Sequence, residues 1–437
     1  AGAQWDKPNT GRSKSTLLSG FGRINYVLMD KYLFTVTGRA DGSSEFGANN
    51  KWAFFPSFAA AWRINQEKFM KNIDWISNLK IRGSWGVTGN QNIPAYSSPE
   101  KMNTYTYPIG GVTSVGIGAG NMPNPDLKWE TTAITDIGID LGVFNNRINF
   151  TADYYYKKTT DLLWNISVPL TTGFGTVLKN IGSLQNKGLE LSLSADVLTG
   201  PFKWNTMLNW STNKNKVLEI PGYIPTQQGT ISGHLKVNGS WLEPGLPVGV
   251  WNLLKTNGVM RTEKEWQDAA RVADSNFDKI GDMSFVDKNG DGKISFGEDR
   301  QIVGDPNPDF IFGWTNNFSY KNFDLSVYIN GSVGNDIYNV LRAETNIVSA
   351  WGNQRAEVKD RWTANNPNGK YPRAHVLVNQ NLLQSDYLIE DGSFLRIQNV
   401  TLGYTFPKVS FLRSLRIYAT AQNLLTITGY SGYNPEV

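Results

Sequence analysis

Several oxygen-bearing residues lie so close together in one segment that they could hold a cation. Residues 287–298 have the sequence DKNGDGKISFGE, which fits the twelve-residue loop that wraps oxygen ligands around Ca²⁺. Gly292, at its sixth position, supplies the sharp turn of such loops. Because a hard cation needs many oxygens in a small volume, we expect Ca²⁺ here, with Mg²⁺ less well suited. The expected ligands are Asp287, Asn289, Asp291, the carbonyl of Lys293, Ser295 and Glu298.

The sequence around this acidic loop (residues 287–298) weakens the calcium prediction. No helix comparable to the second helix of an EF-hand pair is evident after Glu298. The alternative is a solvated cluster of Asx turns, in which the same side chains bind their own backbone. A bound ion would act as a structural clip and not as a sensor, with Asp282 and Asp299 as candidate extra ligands.

Groups suited to acid–base catalysis are few. The chain has two histidines, His234 and His375, both in predicted long loops and neither beside residues that suggest a Ser-His-Asp set. A lone loop histidine is usually a surface residue. Asp136 and Asp140 share a strand face, but residues four apart on a strand are separated by about 13 Å, wider than glycosidase acid–base pairs. We therefore expect no enzymatic activity.

Composition excludes several classes of protein. Of the 437 residues, 18% are charged and 12% aromatic, and the formal net charge of +4 is too small to indicate nucleic-acid binding. Cysteine is absent, which excludes disulfides and Cys-ligated metals. No apolar run is long enough to predict a transmembrane helix. The polar start carries no signal peptide and the chain stops in a predicted loop, so we expect a fragment at both ends.

Apolar and polar residues alternate along many segments. After Gly188, the odd positions from Leu189 to Val197 are apolar, whereas the even positions from Glu190 to Asp196 are polar. Because successive side chains of a strand point to opposite faces, such a strand has one apolar and one polar face. The same alternation recurs in segments 137–143, 147–156, 323–330 and 415–422.

Twelve segments of this kind predict an antiparallel up-and-down meander. The predicted strands are 15–29, 31–42, 51–64, 79–88, 128–143, 147–160, 186–198, 202–214, 309–320, 323–333, 393–406 and 414–424. Short connections at 30–31, 145–146, 199–201 and 321–322 alternate with long ones at 89–127, 163–185, 215–308 and 334–392. This asymmetry is typical of outer-membrane β-barrels, which have tight periplasmic turns and larger outside loops.

Two irregularities are predicted within the meander. Residues 66–78 have the apolar spacing of a short amphipathic helix. In segment 393–406 the apolar positions switch from odd to even numbers, and a bulge near Gln398 and Asn399 would re-aim the side chains in this way.

A soluble β-sandwich would show the same alternation, but three features favour a wall in a membrane. The strands exceed the ~5–6 residues usual in soluble sheets, the connections alternate in length, and aromatic residues cluster beside the short turns, where a girdle would mark the boundary of the hydrocarbon. These aromatic residues are Tyr32, Phe34, Phe144, Phe202, Trp204, Tyr320, Phe323 and Phe406. We predict an all-β transmembrane barrel wall whose apolar side, including Leu189, Leu193, Ile329 and Ile417, faces outer-membrane lipid.

Four segments resemble the SusC/RagA-type TonB-dependent transporters. They are LKIRGSWGVTGNQNI (79–93), NPDLKWE (124–130), NKGLEL (186–191) and GDMSFVDKNGDGKISFGEDRQIVG (281–304), with a similar stretch following at 308–331. The resemblance covers essentially the whole chain and implies part of a plugged outer-membrane barrel of about 22 strands. It also implies a SusD-like surface lipoprotein as a lid, energy delivered by TonB, and glycans or peptides as cargo. The chain departs from the family in showing no TonB box, no plug and no first strands.

Residues 1–437 would then be the C-terminal portion of such a barrel. The long loops would form the outer mouth and dock the lid, and polar side chains would line the lumen. The expected lumen residues include Arg82, Asp136, Asp140, Asp153, Glu190, Asp324, Arg396 and Arg416. One alternative is a passive porin closed by this chain alone. Another is a secreted carbohydrate-binding β-protein with a dockerin-like calcium loop, which would be soluble without detergent.

Overall fold

Twelve long strands form one antiparallel sheet, here called the wall, in which each strand pairs with its neighbours in sequence. The computed structural model describes residues 12–220, 226–228, 239–347, 353–407 and 412–436, so His234 lies outside it. The wall strands are β1 (Leu17–Leu28), β2 (Tyr32–Ser43), β3 (Trp52–Arg63), β4 (Ile76–Asn90), β5 (Glu130–Val143), β6 (Ile148–Thr160), β7 (Ser183–Thr199), β8 (Phe202–Glu219), β9 (Phe310–Tyr320), β10 (Phe323–Val333), β11 (Phe394–Phe406) and β12 (Leu415–Thr428). The predicted twelve-strand meander is therefore confirmed.

The wall strands are long enough to cross a membrane. The shortest of them, β9 and β10, have 11 residues each, and a tilted strand of about 9–11 residues spans the hydrocarbon layer. In the described ranges, β1 and β12 are the two edges of the wall. No helix in the part of the chain that the structure describes is long and apolar enough to cross a membrane.

Strand register separates the alternating residues into a polar face and an apolar face. Glu190 of β7 lies opposite Asp153 of β6, whereas its neighbour Leu191 lies opposite Ala152. Large side chains of the apolar face stay exposed, among them Phe54 (65%), Ile137 (57%), Leu402 (52%) and Ile417 (59%). Neither hydrophobic core of the described residues includes Leu189, Leu193, Ile329 or Ile417, so this face lacks the second layer that a soluble sandwich needs.

The predicted bulge in β11 is confirmed. In the pairing of β11 with β10, Ile397 lies opposite Ile329 and Asn399 lies opposite Tyr328, which leaves Gln398 as the extra residue of β11. The bulge changes the parity of the strand, so that Arg396 and Asn399 both reach the polar face, opposite Asn330 and Tyr328 of β10.

The predicted helix over residues 66–78 is wrong. The connection between β3 and β4, here called the rim turn (residues 64–75), contains two single 3₁₀ turns at Ile64–Gln66 and Lys68–Met70, and β4 already begins at Ile76. The break between the two turns lies at Glu67, whose backbone is extended, with φ −75° and ψ 150°.

A hydrogen-bond network around Glu67 explains this break. The Glu67 carboxylate accepts from Lys31 Nζ and from the Tyr32 hydroxyl, each at 2.8 Å, and from the indole nitrogen of Trp62 at 3.1 Å. All three donors belong to the β1–β2 turn, β2 or β3, so Glu67 ties the rim turn to the wall. This anchoring outweighs the weak helical preference of a segment too short to form a stable helix by itself.

Because of these donors, above all the hydrogen bond from Lys31, the pKa of Glu67 falls from 4.5 to about 2. A carboxyl with a lowered folded-state pKa stabilises the fold above its unfolded pKa and loses this contribution as pH falls through the folded one. We therefore expect wild type to unfold at higher urea than a Glu67→Gln variant at pH 7, and the difference to disappear between pH 4.5 and pH 2. A difference that stays constant over this range would contradict the anchor.

Long connections at the opposite end of the wall carry their own secondary structure. Between β4 and β5, Met102–Ile109 and Val112–Ala119 form a hairpin, and between β6 and β7, Leu163–Ser167 pairs with Thr176–Asn180. The remaining short strands are Thr226–Gln228, Ser240–Leu242, Val250–Leu253, Thr256–Val259, Arg271–Val272, Met283–Phe285, Lys293–Ile294, Gln301–Gly304, Asp336–Tyr338 and Ile389–Asp391. The helices are α1 (Glu263–Asp268), α2 (Phe296–Asp299), α3 (Val340–Asn346) and α4 (Gln380–Leu383). Further 3₁₀ turns are Leu170–Thr172, Ser275–Phe277, Ala356–Asp360 and Asp386–Leu388.

The two longest connections pack together into one unit, here called the loop body (described residues of 239–309 and 334–393). Its core joins residues of both connections: Leu253, Leu254, Val259, Val272, Met283, Phe285, Ile294, Tyr338, Ala343, Ile347, Leu382, Leu383 and Leu388. Leu254, Leu383 and Leu388 are fully buried. The end of the wall opposite to the rim turn thus carries a packed, domain-like structure instead of separate loops.

Candidate functional site

The polar face of the wall carries a cluster of five charged residues on three adjacent strands. Arg82 Nη2 of β4 lies 2.6 Å from the Asp153 carboxylate of β6. The same guanidinium lies 3.2 Å from Asp136 and 3.5 Å from Asp140, both on β5, and Lys80 Nζ lies 2.6 Å from Asp140. Four of these residues, Arg82, Asp136, Asp140 and Asp153, were predicted to line the lumen, but the ion pairs among them were not predicted.

Gly138 allows Arg82 to reach a strand that is not its neighbour. Register places Gly138 of β5 directly between Arg82 and Asp153. A Cβ atom at this position would lie 2.1 Å from an Asp153 oxygen and 2.7 Å from the Arg82 guanidinium carbon. The missing side chain therefore leaves a gap through which the ion pair spans β5.

A second ion pair also crosses a glycine of the intervening strand, with the positions of the positive and negative charges exchanged. Asp324 of β10 lies opposite Gly403 of β11, whereas Arg416 of β12 lies opposite Thr405. The Arg416 side chain reaches over Gly403, and its Nε donates to Asp324 at 3.0 Å. A Cβ at Gly403 would lie 2.5 Å from Arg416 and 2.6 Å from Asp324. Both pairs share one pattern, a glycine at a polar-face position with opposite charges on the two flanking strands, and this pattern can be recognised once strand order and register are known.

Replacing Gly138 with valine should break the first pair. The added atoms overlap Asp153 and Arg82, which are 17% and 32% exposed at their side chains, so we expect a loss of about 2–3 kcal/mol in unfolding free energy. The measurement is urea unfolding of the full-length protein in lipid vesicles. Gly83→Val is the control, because the nearest atom to a Cβ there is 3.9 Å away, and an equal loss in both variants would contradict the role of the gap.

Between the two ion pairs, the polar face lines a cavity of about 640 Å³. Its lining combines polar residues, among them Glu190, Ser192, Asn209, Tyr328, Asn330 and Glu436, with apolar residues such as Trp210, Phe312 and Phe394. Polar groups of this kind bind hydroxyls and amides of a ligand without a need for catalysis. All eight predicted lumen residues belong to strands whose register puts them on this face.

The end of the described chain folds back against the polar face. Arg396, only 6% exposed, donates to Glu436 and, at 2.7 Å, to Asn434 Oδ1. Asn330 Nδ2 also donates to Glu436, at 3.2 Å. The buried arginine charge is therefore paired, and Glu436 is held where it lines the cavity.

The acidic loop lies in the loop body and is curved by its own side chains. The Asp287 carboxylate accepts from the backbone nitrogens of Gly290 at 2.7 Å and Gly292 at 2.8 Å. Asn289 Oδ1 and Asp291 Oδ1 each accept from the nitrogen two residues further on, as in Asx turns. Glu298 lies in the one-turn helix α2.

Metal-binding geometry is incomplete in this loop. In the described ranges, no three His, Asp or Glu side chains are grouped closely enough to hold an ion. The predicted set is nevertheless made of oxygen donors throughout, including a carbonyl and a hydroxyl, which is the chemistry that Ca²⁺ prefers. Asp299, a predicted extra ligand, accepts instead from the nitrogens of Lys288 and Ser295.

The expectation that His375 is a surface residue is wrong. Its side chain is 13% exposed, and its Nε2 lies 2.6 Å from Oδ1 of Asp282, which is fully buried. Arg373 Nε donates to the same oxygen at 2.7 Å, and the ring of Phe277 lies 4.6 Å from the imidazole. Asp282 therefore serves as a buried anchor between the two connections of the loop body.

Comparison with known proteins places this wall in a family. The profile of the family described as "TonB dependent receptor-like, beta-barrel" matches residues 2–292. TonB-dependent receptor P26 of Formosa agariphila is 38% identical over 425 residues, and TonB-dependent receptor SusC of Bacteroides thetaiotaomicron is 35% identical over 447 residues. The alignments cover 96% and 97% of this chain but 42% of each relative.

A solved structure of the RagAB peptide transporter has the same fold. It matches with a TM-score of 0.82 and 26% identity, over 97% of this chain and 45% of that chain. The chain thus spans less than half the length of the relatives it matches. The wall strands pair in sequence order, and the wall has one apolar face. The family profile matches more than half of the residues. The chain therefore belongs to the SusC/RagA-like TonB-dependent receptors of the outer membrane.

Proposed function

We propose that the chain forms the C-terminal portion of the barrel of an active importer, which carries glycans or peptides across the outer membrane. The observation that carries this proposal is the polar face, where ion pairs and a cavity with hydroxyl, amide and carboxylate groups lie on the side opposite to the apolar face. Among the proteins it resembles, the RagAB peptide transporter supports peptides as cargo, and glycans are included because the sequence resembles the SusC/RagA type, to which the relative named SusC belongs. The work is binding at the mouth and gated passage, without catalysis.

Two protein partners belong to this proposal. A SusD-like surface lipoprotein would act as a lid over the loop body, and TonB would deliver energy through a part of the protein outside this chain. A packed loop body supports the first partner, because a preformed surface loses less conformational freedom on docking than flexible loops would.

Uptake by living cells tests the proposal. The gene for the full-length protein is deleted, and uptake of fluorescent oligosaccharides and of a labelled peptide mixture is compared in the deletion strain and in the complemented strain. We expect the deletion to abolish uptake of one class, complementation to restore it, and a protonophore to block it. If uptake of neither class changes on deletion, the importer proposal fails.

The passive porin predicts a different result in the same cells, because uptake through an open pore would continue after the protonophore is added. The secreted carbohydrate-binding protein is excluded, since the family places the chain in the outer membrane.

We also propose that the acidic loop binds Ca²⁺ as a structural clip of the loop body. Asp287→Ala should abolish binding, because this residue holds two turns of the loop and supplies the first ligand. Lys293→Ala is the matched control, since it keeps the backbone carbonyl that would serve as a ligand. Calorimetric titration of the full-length protein with calcium should give a dissociation constant of about 10⁻⁴–10⁻³ M, typical of extracellular modules, and absence of an ion at millimolar calcium in an anomalous map would refute the site.

A further inference from the structure

The rim turn presents an exposed surface that the wall does not use. Phe69 and Trp75 are 64% and 54% exposed, although both are large aromatic residues. Lys68 and Lys71 are exposed on either side of Phe69. Within the described residues neither lysine forms an ion pair, since the pair at this turn joins Lys31 to Glu67.

Contacts with aromatic rings place this turn on the outer side of the wall. Glu67 binds Tyr32 and Trp62, which are register partners with rings stacked at a centroid distance of 6.4 Å. At the other end of the turn, the Trp75 ring lies 6.4 Å from that of Phe144. The turn therefore runs between two aromatic pairs, at the level where such rings mark the boundary between hydrocarbon and water.

We propose that the rim turn is an interfacial anchor that binds anionic phospholipids of the periplasmic leaflet. Phe69 and Trp75 insert among the upper acyl chains, and Lys68 and Lys71 bind the headgroup phosphates. Short turns lie at the periplasmic end of outer-membrane barrels, and the hydrogen bonds from Tyr32 and Trp62 to Glu67 hold this turn beside the apolar face. Lysines beside buried aromatic rings keep their stems in the apolar layer and their ammonium groups at the phosphates. This combination favours lipid over a soluble protein partner.

Native mass spectrometry of the full-length protein in nanodiscs tests the lysines. The probe is phosphatidylglycerol mixed with phosphatidylcholine. We expect a Lys68→Gln/Lys71→Gln variant to retain phosphatidylglycerol less well, by about fivefold per lysine. The control is Lys203→Gln/Lys321→Gln, which removes two lysines at the same end of the wall. Equal retention by wild type and the first variant, or an equal loss in both variants, overturns the proposal.

A depth measurement tests the aromatic residues separately. The 437 residues contain no cysteine, so a nitroxide on Phe69→Cys reports one position once any cysteine elsewhere in the protein is replaced. We expect this label to be more accessible to oxygen than to a water-soluble nickel complex. A label on Asn322→Cys, in the turn between β9 and β10, should show the reverse. The same accessibility at both positions would overturn insertion, and the correct fold of each variant is checked by its heat-modifiable gel shift.

Discussion

A Leu191→Arg variant is expected to lose about 2–4 kcal/mol of unfolding free energy in a bilayer. Leu191 lies in the middle of β7 on the apolar face, opposite Ala152 of β6 and Trp210 of β8. A guanidinium at that depth must either leave water or distort the lipid around it. Reversible urea unfolding of the full-length protein in lipid vesicles gives the difference.

Ser192→Arg is the matched control for this experiment. Ser192 is adjacent in sequence but lies on the polar face, where it donates to Asn209 at 2.9 Å and lines the cavity. An added charge there can reach water, so we expect a much smaller change. If both variants lost the same stability, the assignment of the two faces would be wrong.

An Asp282→Ala variant should destabilise the loop body by about 3–5 kcal/mol. The Asp282 side chain is fully buried and is the shared partner of Arg373 and His375, whose side chains are 26% and 13% exposed. Removing it leaves a cationic group largely out of water without its counter-charge, which is among the costliest single changes in proteins. Hydrogen exchange of the loop body, followed by mass spectrometry, measures the loss.

Asp268→Ala provides the comparison, because Asp268 ends α1 on the exposed surface of the same loop body. Its amide exchange should match wild type. Exchange that is faster only in the loop body of Asp282→Ala, with an unchanged wall, would show that the two parts open independently.

Local rules predicted the wall well. Alternation with a period of two depends on neighbouring residues alone, so all twelve strands and the bulge at Gln398 could be derived from the sequence. The prediction of a helix in the rim turn failed for a related reason. The helical pattern is also local, whereas the Glu67 interactions that break it come from residues up to 36 positions away. A long-range contact therefore overrode a weak local preference.

The loop body could not be derived for the same reason. Its core joins two connections separated by β9 and β10, and Arg373 lies 91 positions from its partner Asp282. A signal was nevertheless present: a connection of this length with the apolar residues Val250, Leu253 and Leu254 is rarely without a core of its own. The clustering of Arg82 with the aspartates also escaped prediction, because strand order and register must be known first.

The gaps at Gly138 and Gly403 fix the register of strand pairing, which the alternation of apolar and polar residues does not fix by itself. A strand that slips by two residues keeps its apolar side toward lipid, so polarity alone cannot distinguish the correct pairing from its nearest errors. Slippage of β5 by two would put Asp136 or Asp140 between Arg82 and Asp153, with carboxylates facing each other. Slippage of β11 would put Thr401 or Thr405 in the path of the second pair. The two glycines thus select one strand register among several that would place the apolar face equally well toward lipid.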